Sequence, residues 1–316
     1  MSYVIVSALA PIFFVLALGF VAGRMRTIDN HHVCEINALV MDFALPASLF
    51  VATASTQRSE MMAQGSLFAI LSAVMLVPYL FWYVFERQAF RTPVGVAALQ
   101  ALTVGLPNFA AAGLPIVSAI LGSKGTVPVA IAIAAGSILP TPITVLLLEL
   151  NDSKRQADTG TSAARILLAL WPAFSKPVVL APVLGILLSL AGLSLDNATR
   201  ASLQLIGQAA GGVALFLTGL ILSAQSFRLD WQIGTATGTA NLIQPLLAAA
   251  IVCVFPVPTE TAKISVLLSA LPSGFFGILL AVNYRLDSAE AGSMVIASTV
   301  FSIATLAATI GILFYR

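Results

Sequence analysis

The chain has 316 residues, 59% of them apolar and 9% charged, with a formal net charge of +2. A soluble domain carries about 45–50% apolar and about 25% charged residues, so a single aqueous globule is excluded and lipid is the expected solvent. The small net charge says little, no nucleic acid is expected as a partner, and the placement of charge carries the argument.

About 20 apolar residues cross a bilayer core as a helix. On that ruler the sequence predicts ten spans, at about 3–23, 33–53, 66–85, 94–122, 126–149, 177–195, 201–225, 232–254, 262–284 and 291–314. The first lacks a basic segment ahead of its apolar run and reads as a retained span rather than a cleaved signal peptide. Span two carries Glu35 and Asp42, which at seven residues apart share a face, about 10 Å apart along the axis. Glu35 stands near the inner interface, where it can snorkel, and Asp42 is expected buried near the midplane. Carboxylates there cost at least about 2.5 kcal/mol on insertion scales and default to functional hypotheses. Asp42, with Glu35 behind it, is therefore the candidate for ion or proton coupling. The alternative for Asp42 is a protonated, hydrogen-bonded packing residue.

Span four contains Leu106-Pro107-Asn108, and span nine contains Leu271-Pro272-Ser273-Gly274. Proline inside a helix removes a hydrogen bond and clashes with the preceding turn, at about 3 kcal/mol or more. Carbonyls freed in lipid find no water, so a broken helix persists only beside protein or a wet cavity. Pro107 lies about 13 residues from the inner end of its span and Pro272 about 10 from the outer end of its own, so both fall roughly 15–20 Å deep. Paired breaks at matching depth point to the binding centre of a secondary transporter. Isolated prolines such as Pro11, Pro46, Pro78 and Pro245 read as tolerated kinks.

The one long polar stretch, Asn151 to Ser162, separates residues 1–150 from 177–316. It reads as a linker, and the segment through Trp171 to Lys176 reads as a short interfacial helix. With the N-terminus outside, the inner loops hold Arg24, Arg26, Arg87, Arg91, Lys154, Arg155, Arg165, Lys176, Arg228 and Arg285, against Arg58, Lys124, Arg200, Lys263 and Arg316 outside. The excess belongs inside, which predicts a multi-pass inner-membrane protein with both termini outside. Five spans per half is an odd number, so the two halves form an inverted repeat.

If the broken spans cross, their half-helix N-termini favour an anion and their C-termini offer carbonyls to a cation. No Lys or Arg lies at the midplane, so an anion is left to helix ends, amides and hydroxyls. Asn108, Ser273 and Gly274, shaped by Pro107 and Pro272, are the expected substrate-binding residues. Asn37, Gln100, Gln208, Asn241 and Gln244, with Gln204 and Asn283, read either as helix–helix links or as cavity lining. His31 and His32 read as solvated loop residues. Cys34 and Cys253 form no disulfide framework or metal spacing. No nucleotide-binding glycine loop, metal cluster or serine nucleophile motif is present, which argues against a pump driven by ATP and against an enzyme. No cofactor is expected.

Leu106 to Ile116, with Leu-Pro-Asn followed by Gly-Leu-Pro, resembles the fourth-span signature of the auxin efflux carrier family. Ala270 to Gly274, continuing to Ala281-Val282-Asn283-Tyr284, is similar to its ninth-span signature. Lys176-Pro177 and Asn37 with Leu45-Pro46 fit as well, and the resemblance covers essentially the whole chain. It implies a ten-helix inverted-repeat fold related to bile acid sodium symporters and sodium/proton antiporters. In that fold, spans four and nine cross at their prolines while spans one, two, six and seven form a scaffold. It also implies a carrier of malonate or another small carboxylate. Ser273 stands where plant members have Gln, and the central loop is short, so auxin selectivity is not implied.

The expectation is an all-α secondary carrier for a small organic anion, working by alternating access. Coupling to protons, to sodium or to the membrane potential alone stays open. The alternative is a sodium/proton antiporter or a sodium-coupled anion symporter of the same fold. A homodimer also stays open, because apolar faces meet lipid anyway and mark no subunit interface.

Overall fold

The computed structural model describes residues 2–28, 33–153, 175, 177–225 and 227–314. The expected linker beyond Ser153 with Trp171 and Lys176, together with His31 and His32, lies outside the described residues.

Each of the ten apolar ranges is helical. In chain order the helices are α1 (Ser2–Arg24), α2 (Val33–Ala38), α3 (Leu45–Ala54), α4 (Arg58–Ala63), α5 (Gly65–Ala89), α6 (Val94–Gly105), α7 (Leu114–Leu121), α8 (Thr126–Ile138) and α9 (Pro140–Ser153). There follow α10 (Pro177–Leu190), α11 (Asn197–Gly207), α12 (Ala210–Ala224), α13 (Trp231–Gly238), α14 (Gln244–Val254), α15 (Thr259–Ser269), α16 (Phe276–Asn283) and α17 (Ala289–Phe314). No β-strand occurs among the described residues, only one isolated bridge. Among the described residues, six continuous helices are long and apolar enough to cross a membrane: Glu35–Ala54, Arg58–Ala89, Thr126–Leu148, Asn197–Ala224, Trp231–Val254 and Ala289–Phe314. Val94–Gly105, Phe109–Leu121, Pro177–Leu190 and Ala10–Arg24 are shorter apolar helices.

Local chemistry explains many of the boundaries. Asp196 and Asp230 cap α11 and α13, accepting the Thr199 and Ile233 N–H groups at 2.9 Å, as short acidic side chains do at helix starts. Three segments widen to π-helical turns, Leu39–Ala44, Phe109–Gly113 and Thr239–Ile243. Each runs directly into an X-Pro pair: Leu45-Pro46, Leu114-Pro115 and Gln244-Pro245. A proline has no N–H for the carbonyl four residues back and crowds it. The widened turn takes up that mismatch, so these three prolines sit inside continuous helices.

Packing sorts the helices into two groups. In the first, α1 lies along α12, and α3 packs against α10 and α11. The α1–α12 seam requires glycine, since a Cβ on Gly19 would stand 2.0 Å from the Phe216 carbonyl oxygen and one on Gly219 only 1.9 Å from that of Leu16. Helices in lipid associate through such small residues because backbones must approach closely to gain packing contacts. The second group comprises α5, α6, α9 and α13 to α17, while α8 packs against α5 and α9 on one side and against α3 and α10 on the other. The segment Phe109–Leu121 meets α12 and α1 on one side and α8 on the other.

Candidate functional site

The two Leu-Pro breaks meet. Leu106 takes an extended conformation (φ −109°, ψ 102°), as a residue preceding proline is pushed to do. α15 stops at Ser269, and the chain stays non-helical until Phe276. The two unwound stretches pass antiparallel, with Pro107 bridged to Ser273. The Asn108 N–H donates to the Pro272 carbonyl at 2.8 Å, and the Gly274 N–H donates to the Leu106 carbonyl at 2.9 Å. Each break thus satisfies backbone groups of the other, which is how irregular backbone is tolerated where water is scarce. Gly274 is fixed by this approach, because a Cβ there would sit 2.7 Å from the Leu106 oxygen.

A second layer of polar side chains holds the crossing. The Ser273 N–H donates to Ser298 Oγ at 2.9 Å, and Ser298 Oγ donates to Asn241 Oδ1 at 2.6 Å. Asn241 Nδ2 returns a bond to the Ser298 carbonyl at 3.1 Å. Gln244 Nε2 donates to the carbonyls of Gly105 at 2.9 Å and Val74 at 3.3 Å. Asn241 and Gln244 therefore act as links between helices. Ser298→Ala is expected to strand a buried backbone N–H and a buried amide oxygen, costing about 2–4 kcal/mol. Thermal unfolding of the purified protein checks this, with Ser298→Thr expected to recover most of the loss.

Four half-helix ends face the crossing: the C-termini at Gly105 and Ser269 and the N-termini at Phe109 and Phe276. Asn108 caps the first of these N-termini, its Oδ1 accepting the Ala111 N–H at 3.1 Å. Its amide NH2 has no partner among the described residues and is left free to donate. Asn108, Pro107 and Gly274 line a cavity of about 40 Å3 with Ser137 and Thr141, room for a few waters. Asn108 and Pro272 also line a void of about 10 Å3 beside Thr218 and Thr299. Neither space is lined by a charged side chain. Ser273 is 2% exposed and lines neither; it takes part through its backbone.

The remaining expected residues lie elsewhere. Asp42 is exposed, not buried, and lines neither cavity, although its neighbour Met41 lines the larger one. Val40, Met41 and Ala44 turn inward while Asp42 and Phe43 are exposed, the ordinary stripe of a helix with one face against its neighbours. Glu35 is exposed as well. Asn37 Oδ1 is buried without a hydrogen-bond partner, and Gln208 is exposed on a different cavity, beside Arg200.

Gln100 belongs to a polar network that the sequence did not announce. Its Nε2 donates to the Glu290 carboxylate, and its Oε1 accepts from Gln232 Nε2 at 3.1 Å. Gln232 Nε2 also donates to both Glu86 oxygens, at 2.8 and 2.9 Å, and Thr92 Oγ1 donates to Glu86 Oε2 at 2.7 Å. Glu86 is fully buried. The network ties α5 and α6 to α13 and α17. Glu86 lies one residue past the expected end of span three, where α5 continues to Ala89 and buries Trp82 and Glu86 while Arg87 to Ala89 are exposed.

Comparison with known proteins places these features in a family. Residues 4–310 match the family model described as "Membrane transport protein". The chain is 31% identical over 278 residues to the "Uncharacterized transporter YfdV" of Escherichia coli (strain K12), covering 88% of this chain and 87% of the relative, and equally to that of Shigella flexneri. It is 23% identical over 333 residues to the "Auxin efflux carrier component 8" of Arabidopsis thaliana, covering 90% of each.

Proposed function

The chain belongs to the membrane transport protein family that includes the auxin efflux carriers, and from that premise we propose that it is a secondary carrier of a small organic anion. The substrate class is a mono- or dicarboxylate such as malonate, held where the broken helices cross. The observation that carries this reading is the free amide of Asn108 at the meeting point of half-helix ends, in a cavity with no charged lining. Amide donors and helix N-termini suit an anion. A cation substrate calls for a carboxylate there, and none lines either space, which weighs against the sodium/proton antiporter. The plant relative is named for auxin, itself a carboxylic acid.

In this reading the ten helical ranges are ten spans, arranged as inverted halves 1–150 and 177–316 with both termini outside. The group built on α1, α3, α10 and α12 is the scaffold, and the crossing helices move against it. Pro107, Pro272, Gly274 and the Ser273 backbone shape the site around Asn108. Coupling to protons or sodium is not assigned to Asp42, whose side chain is exposed and lines neither space at the crossing. Asp42→Asn is accordingly expected to leave the pH profile of transport unaltered, as measured by uptake into proteoliposomes between about pH 5 and pH 8. A flattened profile would return the coupling role to this residue.

A thermal-shift panel of small carboxylates, with and without sodium, tests the substrate class on the purified protein. At least one carboxylate is expected to raise the melting temperature in wild type and not in Asn108→Asp. A panel that shifts only with sodium, and with no anion, contradicts the reading.

A further inference from the structure

A polar cavity much larger than the two at the crossing lies elsewhere. About 490 Å3 in volume, it lies where the end of α3, the α7–α8 junction and α11 meet, on the face that the lysine and arginine distribution puts outside. Its walls carry Arg200 and Lys124 against a single carboxylate, Glu60, with hydroxyls and amides such as Ser48, Ser55, Gln204 and Gln208 in the rest of the polar lining. Arg200 comes from α11, in the first helix group, while Lys124 comes from the turn between α7 and α8, the latter a helix that touches both groups.

We propose that this cavity is a second anion-binding site, a vestibule that takes a small dicarboxylate between Arg200 and Lys124. The proposal rests on the carrier reading only for its choice of ligand. Arg200 lines the cavity, and its Nε is buried with no hydrogen-bond partner, so no protein acceptor offsets the guanidinium on that side. The guanidinium fork matches a carboxylate in a plane, and the lysine supplies a compact charge for a second one. Two cations against one anion in a concave site focus a positive potential that raises the local concentration of anions. The volume suits a small ligand with its waters. A dicarboxylate held by both cations joins α11 to the turn between α7 and α8. The vestibule thus favours dicarboxylates over monocarboxylates, a preference that the uncharged crossing does not supply.

The test uses the full chain in proteoliposomes with Cys34 and Cys253 replaced by serine and Ser55→Cys as a reporter, since Ser55 is exposed on the cavity wall. The rate of labelling by an anionic methanethiosulfonate is expected to exceed that by a cationic one by about tenfold. That ratio is expected to fall towards parity in Arg200→Gln and in Lys124→Gln, and to return in Arg200→Lys. Malonate is expected to slow labelling more than acetate does, to do so still when Asn108→Asp is added, and to lose the effect in Arg200→Gln. Equal rates for the two reagents overturn the proposal. So does malonate protection that survives Arg200→Gln or disappears with Asn108→Asp. Carboxylate transport is measured separately, so its absence alongside intact protection defeats the carrier reading and leaves the vestibule standing.

Discussion

Asn108→Asp is expected to abolish carboxylate transport while leaving the protein folded. Aspartate caps a helix about as well as asparagine, so the acceptor for the Ala111 N–H is kept. What changes is the other half of the side chain, where two N–H donors are replaced by a negative oxygen. A like charge about 4 Å from a substrate carboxylate costs about 4 kcal/mol at an effective dielectric of about 20, a loss of about a thousandfold in affinity. Asn108→Ala is a milder change, losing a hydrogen bond to a charged group worth about 1.5–3 kcal/mol and a cap worth about 1 kcal/mol. The order expected in labelled-carboxylate uptake is wild type, then Ala, then Asp, with melting temperatures in the order wild type, Asp, Ala. If Asn108→Asp transports as well as wild type, the amide is not the anion donor.

Gly274→Ala is expected to do the opposite, removing the fold before the function can be assayed. The added carbon would stand 2.7 Å from the Leu106 oxygen, the acceptor of the Gly274 N–H itself. Relief requires the two unwound stretches to separate, which breaks that bond and the Asn108 to Pro272 bond with it. Each buried group left unmade costs about 1–3 kcal/mol, and overpacking adds about 1–3 kcal/mol. The total of roughly 3–9 kcal/mol is a large share of the about 5–15 kcal/mol that keeps a native protein folded. Size-exclusion profiles and thermal unfolding in detergent should show loss of the monodisperse protein. Gly212→Ala, whose Cβ would meet nothing within 4 Å, is the matched control. A Gly274→Ala protein that melts within a degree or two of the control would mean that the crossing does not depend on this contact.

Much of this architecture is legible because its signals are local. A proline that lacks an N–H is a fact of one residue, so Pro107 and Pro272 announce a break wherever they sit in an apolar run. The residue after each supplies what the break needs: Asn108 caps, and Ser273-Gly274 allows the close approach. Helix placement follows from apolar length, and the ten ranges match the helices to within a few residues. The exception is α10, which stops at Leu190 before the positive φ of Gly192.

Other features leave no local mark. Pro46, Pro115 and Pro245 look like Pro107 in the sequence, yet a π-helical turn absorbs each of them, and nothing in composition predicts the extra residue. Seven-residue spacing puts Asp42 on the face of Glu35, and both are exposed; spacing alone does not say which face meets the core. Ser298 is one small hydroxyl among many in apolar helices, and only the fold brings it to the Ser273 N–H. Arg200 and Lys124 are separated by 76 positions in the chain and counted only as two outer charges until the helices set them around one cavity.

Counterflow of labelled malonate into proteoliposomes preloaded with unlabelled carboxylate isolates carrier activity, because exchange needs a protein that binds the anion and exposes it alternately. Transient accumulation above equilibrium is expected in wild type, and none in Asn108→Asp. Failure of exchange for every mono- and dicarboxylate tried, with sodium-driven proton flux in the same vesicles, would contradict a carrier of organic anions.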